Sequence, residues 1–410
     1  MEAGTPAYPP AQPVVTPDID GSVSRGRIFI FDPIKRCEPN AYQFTRMVKF
    51  FLVNGYVMTG DIGESDIILV NSCCVTKDML AASRADLDAA LARGKGKRVV
   101  LFGCLAGLPL PGVDRKDLIV IGPEHPDTLL ELERHFPHHV PLSRIEVHHL
   151  PPVFYEPSQG LGYGDYLVMI AHGCANGCSY CNIRRVKGGV RSRPPETILD
   201  EIRQGLSLGV KEFALVADDC ASYGRDLGID LTLLLERMFS LGDGFRVKLG
   251  YLFPGMVLSH FERLRDLFAT GRISYVNIPV QSGSQRILDL MNRRYDIAGI
   301  RQAVRQLRAA APRTPFCTHF MINFPTESEA DFQDCLHLAD EFDGVIFLNY
   351  SDNQGTIAAG IQPKVPEQEV RRRLDLASDY VNRRRPGSGV VIGHFDCNMP
   401  YNLDRKARGC

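Results

Sequence analysis

The sequence predicts an α/β chain: a small N-terminal parallel α/β domain followed by a partial (β/α)6 barrel. Three observations predict it. Short apolar runs alternate with amphipathic helical stretches in two separate parts of the chain. A stretch rich in Pro, His and Gly divides those parts. The length of 410 residues leaves room for two or three domains, and 44% hydrophobic against 23% charged residues is ordinary for a globular protein.

Residues 1–25 hold mostly Pro, Ala, Thr and Ser with little to bury, and read as a disordered tail. They lack the basic start and apolar run of a signal peptide. Residues 26–136 form the first domain. Its four apolar runs, at 27–31, 67–70, 99–102 and 118–121, read as strands. A helix over 41–54 carries Phe44, Met47, Val48, Phe51 and Leu52 on one face and stops at Gly55; helices over 77–93 and 127–135 follow. Residues 137–164 read as a linker. His135, His138, His139, His148 and His149 fall in or beside it without ligand spacing, so solvated histidines are expected there rather than a metal site.

The second alternation occupies 165–365. Strands are expected at 166–170, 212–216, 246–249, 276–280, 317–322 and 345–350, with helices between them. The helix over 197–208 sets Ile198, Ile202 and Leu206 on one face after Pro194-Pro195. Six βα units fall short of a closed eight-unit barrel, hence the open form. Residues 366–410 hold an Arg-rich helix near 367–385, one vestigial strand at 389–392 and a tail.

Lys and Arg total 47 against 48 Asp and Glu, a net charge of −1, which argues against a broad phosphate-binding surface. No apolar run is long enough to cross a membrane. The 12 cysteines are too sparse for a disulfide scaffold, so a cytoplasmic location with reduced thiols is expected.

Cys174, Cys178 and Cys181 form Cys-x3-Cys-x2-Cys after the first barrel strand, with Gly173 before the first and Tyr180 before the third. Three thiolates on one loop hold three irons of a [4Fe–4S] cluster and leave the fourth open to a small ligand; a structural zinc would want a fourth ligand. Cys37, Cys73 and Cys104 each lie just past the carboxyl end of a predicted strand. Those ends share one edge of a parallel sheet, so the three are expected to converge on a second cluster; inert thiols are the alternative. Cys74 reads as a bystander, because an extended backbone aims it away from Cys73. Cys220, Cys317 and Cys335 read as packing residues, Cys397 and Cys410 as exposed thiols.

The loop spacing is the radical S-adenosylmethionine (radical SAM) signature. An N-terminal three-cysteine domain ahead of such a barrel resembles the methylthiotransferases, which act on tRNA adenosine and on a ribosomal-protein aspartate. The resemblance covers about residues 27–360. It rests on Cys37-Glu38-Pro39-Asn40, Asn71-Ser72-Cys73, Gly103-Cys104, the 173–181 loop, Arg191-Ser192-Arg193-Pro194 and Tyr223-Gly224. It continues through Pro279-Val280-Gln281-Ser282-Gly283-Ser284, Met291-Asn292-Arg293, Phe324-Pro325-Thr326-Glu327 and Gly355-Thr356.

The resemblance implies two [4Fe–4S] clusters, S-adenosylmethionine chelated to the open iron at Cys174, Cys178 and Cys181, and an electron donor such as flavodoxin or ferredoxin. One S-adenosylmethionine methylates a sulfur carried by the N-terminal cluster. A second gives a 5′-deoxyadenosyl radical that takes hydrogen from an unactivated C–H, and the carbon radical then couples to the methylthio group. Tyr180, Gln281, Ser282, Glu327, Arg191 and Arg193 are the expected cofactor contacts, with capping and loop roles as alternatives. Asp218 and Asp219, past the second barrel strand, are the expected substrate contacts.

Several positions depart from the family pattern. Asp218 stands where an amide is usual, Arg184 for Pro, Lys187 for Arg, and Asn323 and Thr326 for glycines. The family typically ends in a β-rich RNA-binding TRAM domain, for which the about 40 residues past the last motif are too few. The expected substrate therefore moves from tRNA to a peptide or small molecule. Alternatives are a tRNA methylthiotransferase without TRAM, sulfur insertion without methylation, and a non-catalytic iron–sulfur protein.

Overall fold

The computed structural model describes residues 24–32, 37–114, 116, 118–123, 126–151, 164–384 and 389–392. The expected disordered tail, apart from its last two residues, and Cys397 and Cys410 lie outside the described residues.

Five parallel strands build the first sheet: β1 (Arg27–Phe31), β2 (Val57–Met58), β3 (Ile67–Ser72), β4 (Arg98–Gly103) and β5 (Leu118–Ile121), in the order β2-β1-β3-β4-β5. Every residue of β3 is buried, because helices cover both faces of a parallel sheet. Helix Glu38–Val53 packs Phe44, Met47 and Phe51 with Ile28, Leu69 and Val100 on one face. Helix Lys77–Arg93 sets Leu87 and Ala90 with Ile68, Val70 and Leu101 on the other. The first helix begins three residues before the sequence reading because Pro39 sits in its first turn, where a missing N–H costs nothing. The two-residue β2 is too short for periodicity to reveal.

In the second part, β6 (Tyr166–Met169) leads into a two-stranded ribbon of β7 (Ala171–His172) and β8 (Arg191–Ser192). The strands β9 (Glu212–Val216), β10 (Arg246–Tyr251), β11 (Ile273–Asn277), β12 (Phe316–Ile322), β13 (Gly344–Asn349) and β14 (Gly389–Ile392) follow. They form a parallel sheet in the order β14-β13-β12-β11-β10-β9-β6, an open barrel wall with β6 and β14 at its edges. The wall thus has seven strands where six were expected. The seventh is the vestigial strand, which pairs with β13. Val391 is buried with Leu374, Ala377 and Val381 of helix Glu367–Arg384, so that helix and strand complete the sheet instead of trailing from it.

β11 ends at Asn277, short of the expected 276–280 run. Ile278 and Val280 are still buried, but Pro279 has no N–H to donate and Gln281 turns to φ 69°, which breaks regular pairing. The segment expected as a linker is packed where it is described. Leu142 and Ile145 join the first core, and Val147 and Leu150 pack with Leu167, Met169, Ala214 and Val216 of the barrel. His148 stacks on Tyr166, so it is not a solvated histidine. Apolar side chains at 142, 145, 147 and 150 have two cores to fill, and the Pro- and His-rich composition hid this.

Candidate active site

Backbone geometry shapes the barrel loop. Gly173 opens it at φ 74°, where a Cβ would stand 2.4 Å from the Gly189 carbonyl oxygen, so only glycine fits. Beyond it Cys174, Cys178 and Cys181 are half-buried. Each sulfur accepts an N–H bond: Cys174 from the Asn176 backbone at 3.4 Å, Cys181 from Ile183 at 3.4 Å, and Cys178 from Arg293 Nη1 at 3.4 Å. Such donors stabilise thiolate ligands and tune a cluster. Burial pushes the Cys174 and Cys181 thiols up to about 12, so a metal must displace their protons. The buried Arg293 also donates to Tyr180 Oη at 3.4 Å and to the Pro279 carbonyl at 2.6 Å, tying the cysteine loop to the segment that presents Gln281.

The first sheet builds the second set in the same way. Cys37 caps helix Glu38–Val53, Cys73 follows β3, and Cys104 follows Gly103. Gly103 has φ 94°, and a Cβ there would meet the Ser72 carbonyl at 2.3 Å. Cys37 packs on Cys73 beside Met79, and Cys73 feels both Cys104 and Cys37 electrostatically. Cys73 accepts the Val75 N–H at 3.4 Å. Among the described residues no three His, Cys, Asp or Glu close round a single metal ion. Each set supplies three thiolates, which suits a cluster that takes each on a separate iron.

Cys74 packs in a different cluster from Cys73. It is buried with Cys104, Leu108 and Val186. Its hydrogen bond to Cys104 draws the Cys104 thiol down to about 7 and raises its own.

The two sets meet across a seam between the sheets. Asn182 Nδ2 donates to the Cys74 carbonyl at 3.2 Å, Asn353 Nδ2 to the Val75 carbonyl at 2.8 Å, and Tyr251 Oη to Glu38 Oε2 at 3.0 Å. In the seam Lys187 Nζ pairs with Asp218 Oδ1 at 2.6 Å, with side chains 4% and 3% exposed. Lys187 lines a cavity with Asn40, Gln43, Cys104 and His172.

The other expected site residues divide. Gln281 is buried and its Oε1 has no hydrogen-bond partner among the described residues, an acceptor left for a ligand. Glu327 accepts the Asn323 N–H at 2.6 Å and Arg373 Nη1 at 3.0 Å through Oε2, while Oε1 has no hydrogen-bond partner among the described residues. Ser282 Oγ accepts the Ser284 N–H at 3.2 Å, a loop bond. Arg193 pairs with Glu201 at 2.7 Å and donates to the Met169 carbonyl at 2.6 Å, and Arg191 is exposed on β8. Asp218 is engaged by Lys187. Asp219 accepts bonds from Ser222 Oγ and Asn176 Nδ2 at 2.6 Å each, bracing the cysteine loop. Sequence reasoning gave no role to Arg293 beyond its motif and did not pair Lys187 with Asp218. The only signal for the pair was that both positions depart from the family pattern.

Two further departures are explained by backbone geometry. Asn323 and Thr326, where glycines are usual, stand at φ 64° and 67°. Asn tolerates this region, whereas a β-branched Thr pays a steric cost there. Arg286 Nη1 and Nη2 hold Thr326 through its hydroxyl at 3.1 Å and carbonyl at 2.8 Å. Thr326→Gly is expected to raise unfolding free energy by about 1 kcal/mol in urea, and Asn323→Gly to leave it near the wild-type value.

A parallel open barrel with a Cys-x3-Cys-x2-Cys loop at its mouth defines a radical SAM enzyme. Family comparison agrees: the Radical SAM superfamily matches residues 168–339, and the uncharacterized protein family UPF0004 matches residues 36–116. The chain is 33% identical to the tRNA-2-methylthio-N(6)-dimethylallyladenosine synthase of Syntrophobacter fumaroxidans, over 83% of this chain and 78% of that protein. It is 31% identical to the ribosomal protein uS12 methylthiotransferase RimO of Desulforudis audaxviator, over 87% and 83%. The fold is shared with the radical S-adenosylmethionine methyltransferase TsrM of Kitasatospora setae, at TM-score 0.52 and 14% identity, covering 79% of this chain and 75% of that one. The chain belongs to the radical SAM methylthiotransferase family, whose enzymes use S-adenosylmethionine and [4Fe–4S] clusters. Among the described residues no helix is long and apolar enough to cross a membrane.

Proposed function

We propose that the enzyme converts an unactivated C–H bond of a peptide or small-molecule substrate to C–S–CH3, with electrons from a donor such as flavodoxin or ferredoxin. One observation supports this above the rest: two separate three-thiol sets lie on the two sides of one seam, joined by the Asn182 and Asn353 bonds. Bound S-adenosylmethionine and the two clusters supply the methyl group, the radical and the sulfur. Cys174, Cys178 and Cys181 would hold one cluster, Cys37, Cys73 and Cys104 the other. Arg293 holds the Cys178 loop against the Pro279 carbonyl, and Gln281 offers its unpartnered acceptor to the cofactor's polar end.

The substrate class draws support from the C-terminal helix. Arg371, Arg372, Arg373 and Arg384 each pair with a carboxylate of this chain, which offsets the positive charge that the helix presents. A tRNA substrate is the second reading, favoured by exposed Lys77, Arg184 and Arg185 on the helices Lys77–Arg93 and Ile183–Lys187 and by exposed Arg294. The test is turnover by reconstituted enzyme with reductant, assayed with and without bulk tRNA. The peptide or small-molecule reading expects tRNA to leave 5′-deoxyadenosine formation unchanged. A methylthio-tRNA product would replace it with the second reading. S-adenosylhomocysteine and 5′-deoxyadenosine in equal amounts per product mark methylthio transfer; 5′-deoxyadenosine alone marks sulfur insertion without methylation.

A further inference from the structure

We infer that the buried Lys187–Asp218 pair is an electrostatic bridge between the two cysteine sets that sets the reduction potential of the N-terminal cluster, Lys187 raising it and Asp218 lowering it. The inference rests on the two-cluster reading. Its basis is placement. Lys187 ends the short helix Ile183–Lys187 that follows Cys181, and its side chain reaches the cavity lined by Cys104, Gly103 and Asn40 of the first sheet. Asp218 follows β9, holds Lys187 at 2.6 Å through Oδ1 and accepts the Gly173 N–H at 2.9 Å through Oδ2. One carboxylate is therefore bonded both to the residue before Cys174 and to the cation beside Cys104. Asp218 is in electrostatic reach of Cys37 and Cys104 on one side and of Cys181 on the other.

Reduction adds one electron to a cluster that thiolates already make anionic. A buried ammonium beside it favours the reduced state, and a buried carboxylate opposes it. Salt screens little at this depth. Lys187 lines the cavity that Cys104 lines and Asp218 does not, so the cation is the nearer charge and the pair's net effect is to raise the potential. Burial works against the Lys187 charge, but the 2.6 Å ion pair with Asp218 compensates it and keeps the ammonium in place. Lys187 and Asp218 are thus positioning residues at two positions that touch: Lys187 keeps the positive charge of the family's usual Arg, and Asp218 adds a negative charge where an amide is usual.

The experiment uses the full chain with Cys174, Cys178 and Cys181 all changed to Ala, so that only the N-terminal site is loaded. After reconstitution its midpoint potential is measured by dithionite titration monitored by electron paramagnetic resonance. Lys187→Met should move the midpoint negative, Asp218→Asn should move it positive, and Lys187→Arg should restore the wild-type value. Lys187→Gln with Asp218→Asn keeps a hydrogen bond without buried charge and guards against misfolding of the single variants. Its midpoint should fall below wild type by less than that of Lys187→Met. Single variants that leave the midpoint in place, or move it in the same direction, overturn the inference, as does a double variant at or above wild type. A chain that takes up no iron once the barrel cysteines are gone overturns the two-cluster reading and this inference with it.

Discussion

Cys73→Ala should reconstitute with about four irons per chain where the wild type takes up about eight, still form 5′-deoxyadenosine, and form no sulfur-inserted product. The same result is expected for Cys37→Ala and Cys104→Ala, because a cluster with two protein thiolates is not retained. Cys178→Ala should lose the complementary half: about four irons remain, and 5′-deoxyadenosine formation disappears. Fully separated phenotypes follow from the architecture. The two thiol sets stand on different sheets, each with its own glycine turn and its own N–H donors to sulfur. Iron and acid-labile sulfide analysis beside product analysis reads both halves. Cys73→Ala holding about eight irons, or losing 5′-deoxyadenosine together with product, would show that the sets are not independent. Cys74→Ala is the control. Its thiol bonds Cys104 but lies outside the triad, so iron uptake should stay near eight.

Much of this site was legible because its chemistry is written in local patterns. Cys-x3-Cys-x2-Cys needs no tertiary knowledge. Cys37, Cys73 and Cys104 are far apart in sequence, yet strand–helix alternation alone puts them past strand ends on one edge. The β9 strand over 212–216 was read to the residue, since its buried residues Phe213, Ala214, Leu215 and Val216 form a bounded apolar run after Glu212. What stayed hidden depended on which side chains meet across the seam. Lys187 and Asp218 looked like unrelated departures, and only their 2.6 Å contact makes them one feature. Asp218 and Asp219 were expected to face substrate, yet both are spent on the protein, one on Lys187 and one on the cysteine loop. Periodicity reports burial and cannot report partners. The packed segment at 142–150 was hidden for a related reason: four spaced apolar residues among Pro and His show no regular period, although two cores claim them.

The last prediction concerns how the C-terminal helix supports the cofactor side of the barrel. Arg373→Leu should cost about 3–5 kcal/mol of unfolding free energy at pH 8, the usual loss when one partner of a buried ion pair is removed. Arg373 and Glu327 are 4% and 0% exposed, 3.0 Å apart, and Arg373 also donates to the Glu327 carbonyl at 3.3 Å. Glu369 keeps Arg372 at 2.6 Å, so the uncompensated charge falls on Glu327. Burial pushes the Glu327 carboxyl up to about 7, against the Asn323 N–H and Arg373, which lower it. The native carboxyl therefore binds its proton more tightly than the unfolded one. Its contribution to stability is present below the unfolded pKa of about 4.3 and is withdrawn as pH rises through about 7. Without Arg373 the carboxyl moves higher still and is neutral well above pH 5. The deficit of Arg373→Leu should therefore be small at pH 5 and full at pH 8. Adding Glu327→Gln should recover most of it at pH 8, because a neutral amide keeps the Asn323 bond without a buried charge. A deficit equal at both pH values, or a double variant no more stable than Arg373→Leu, would place the role of Arg373 in packing against Phe332 rather than in neutralising Glu327.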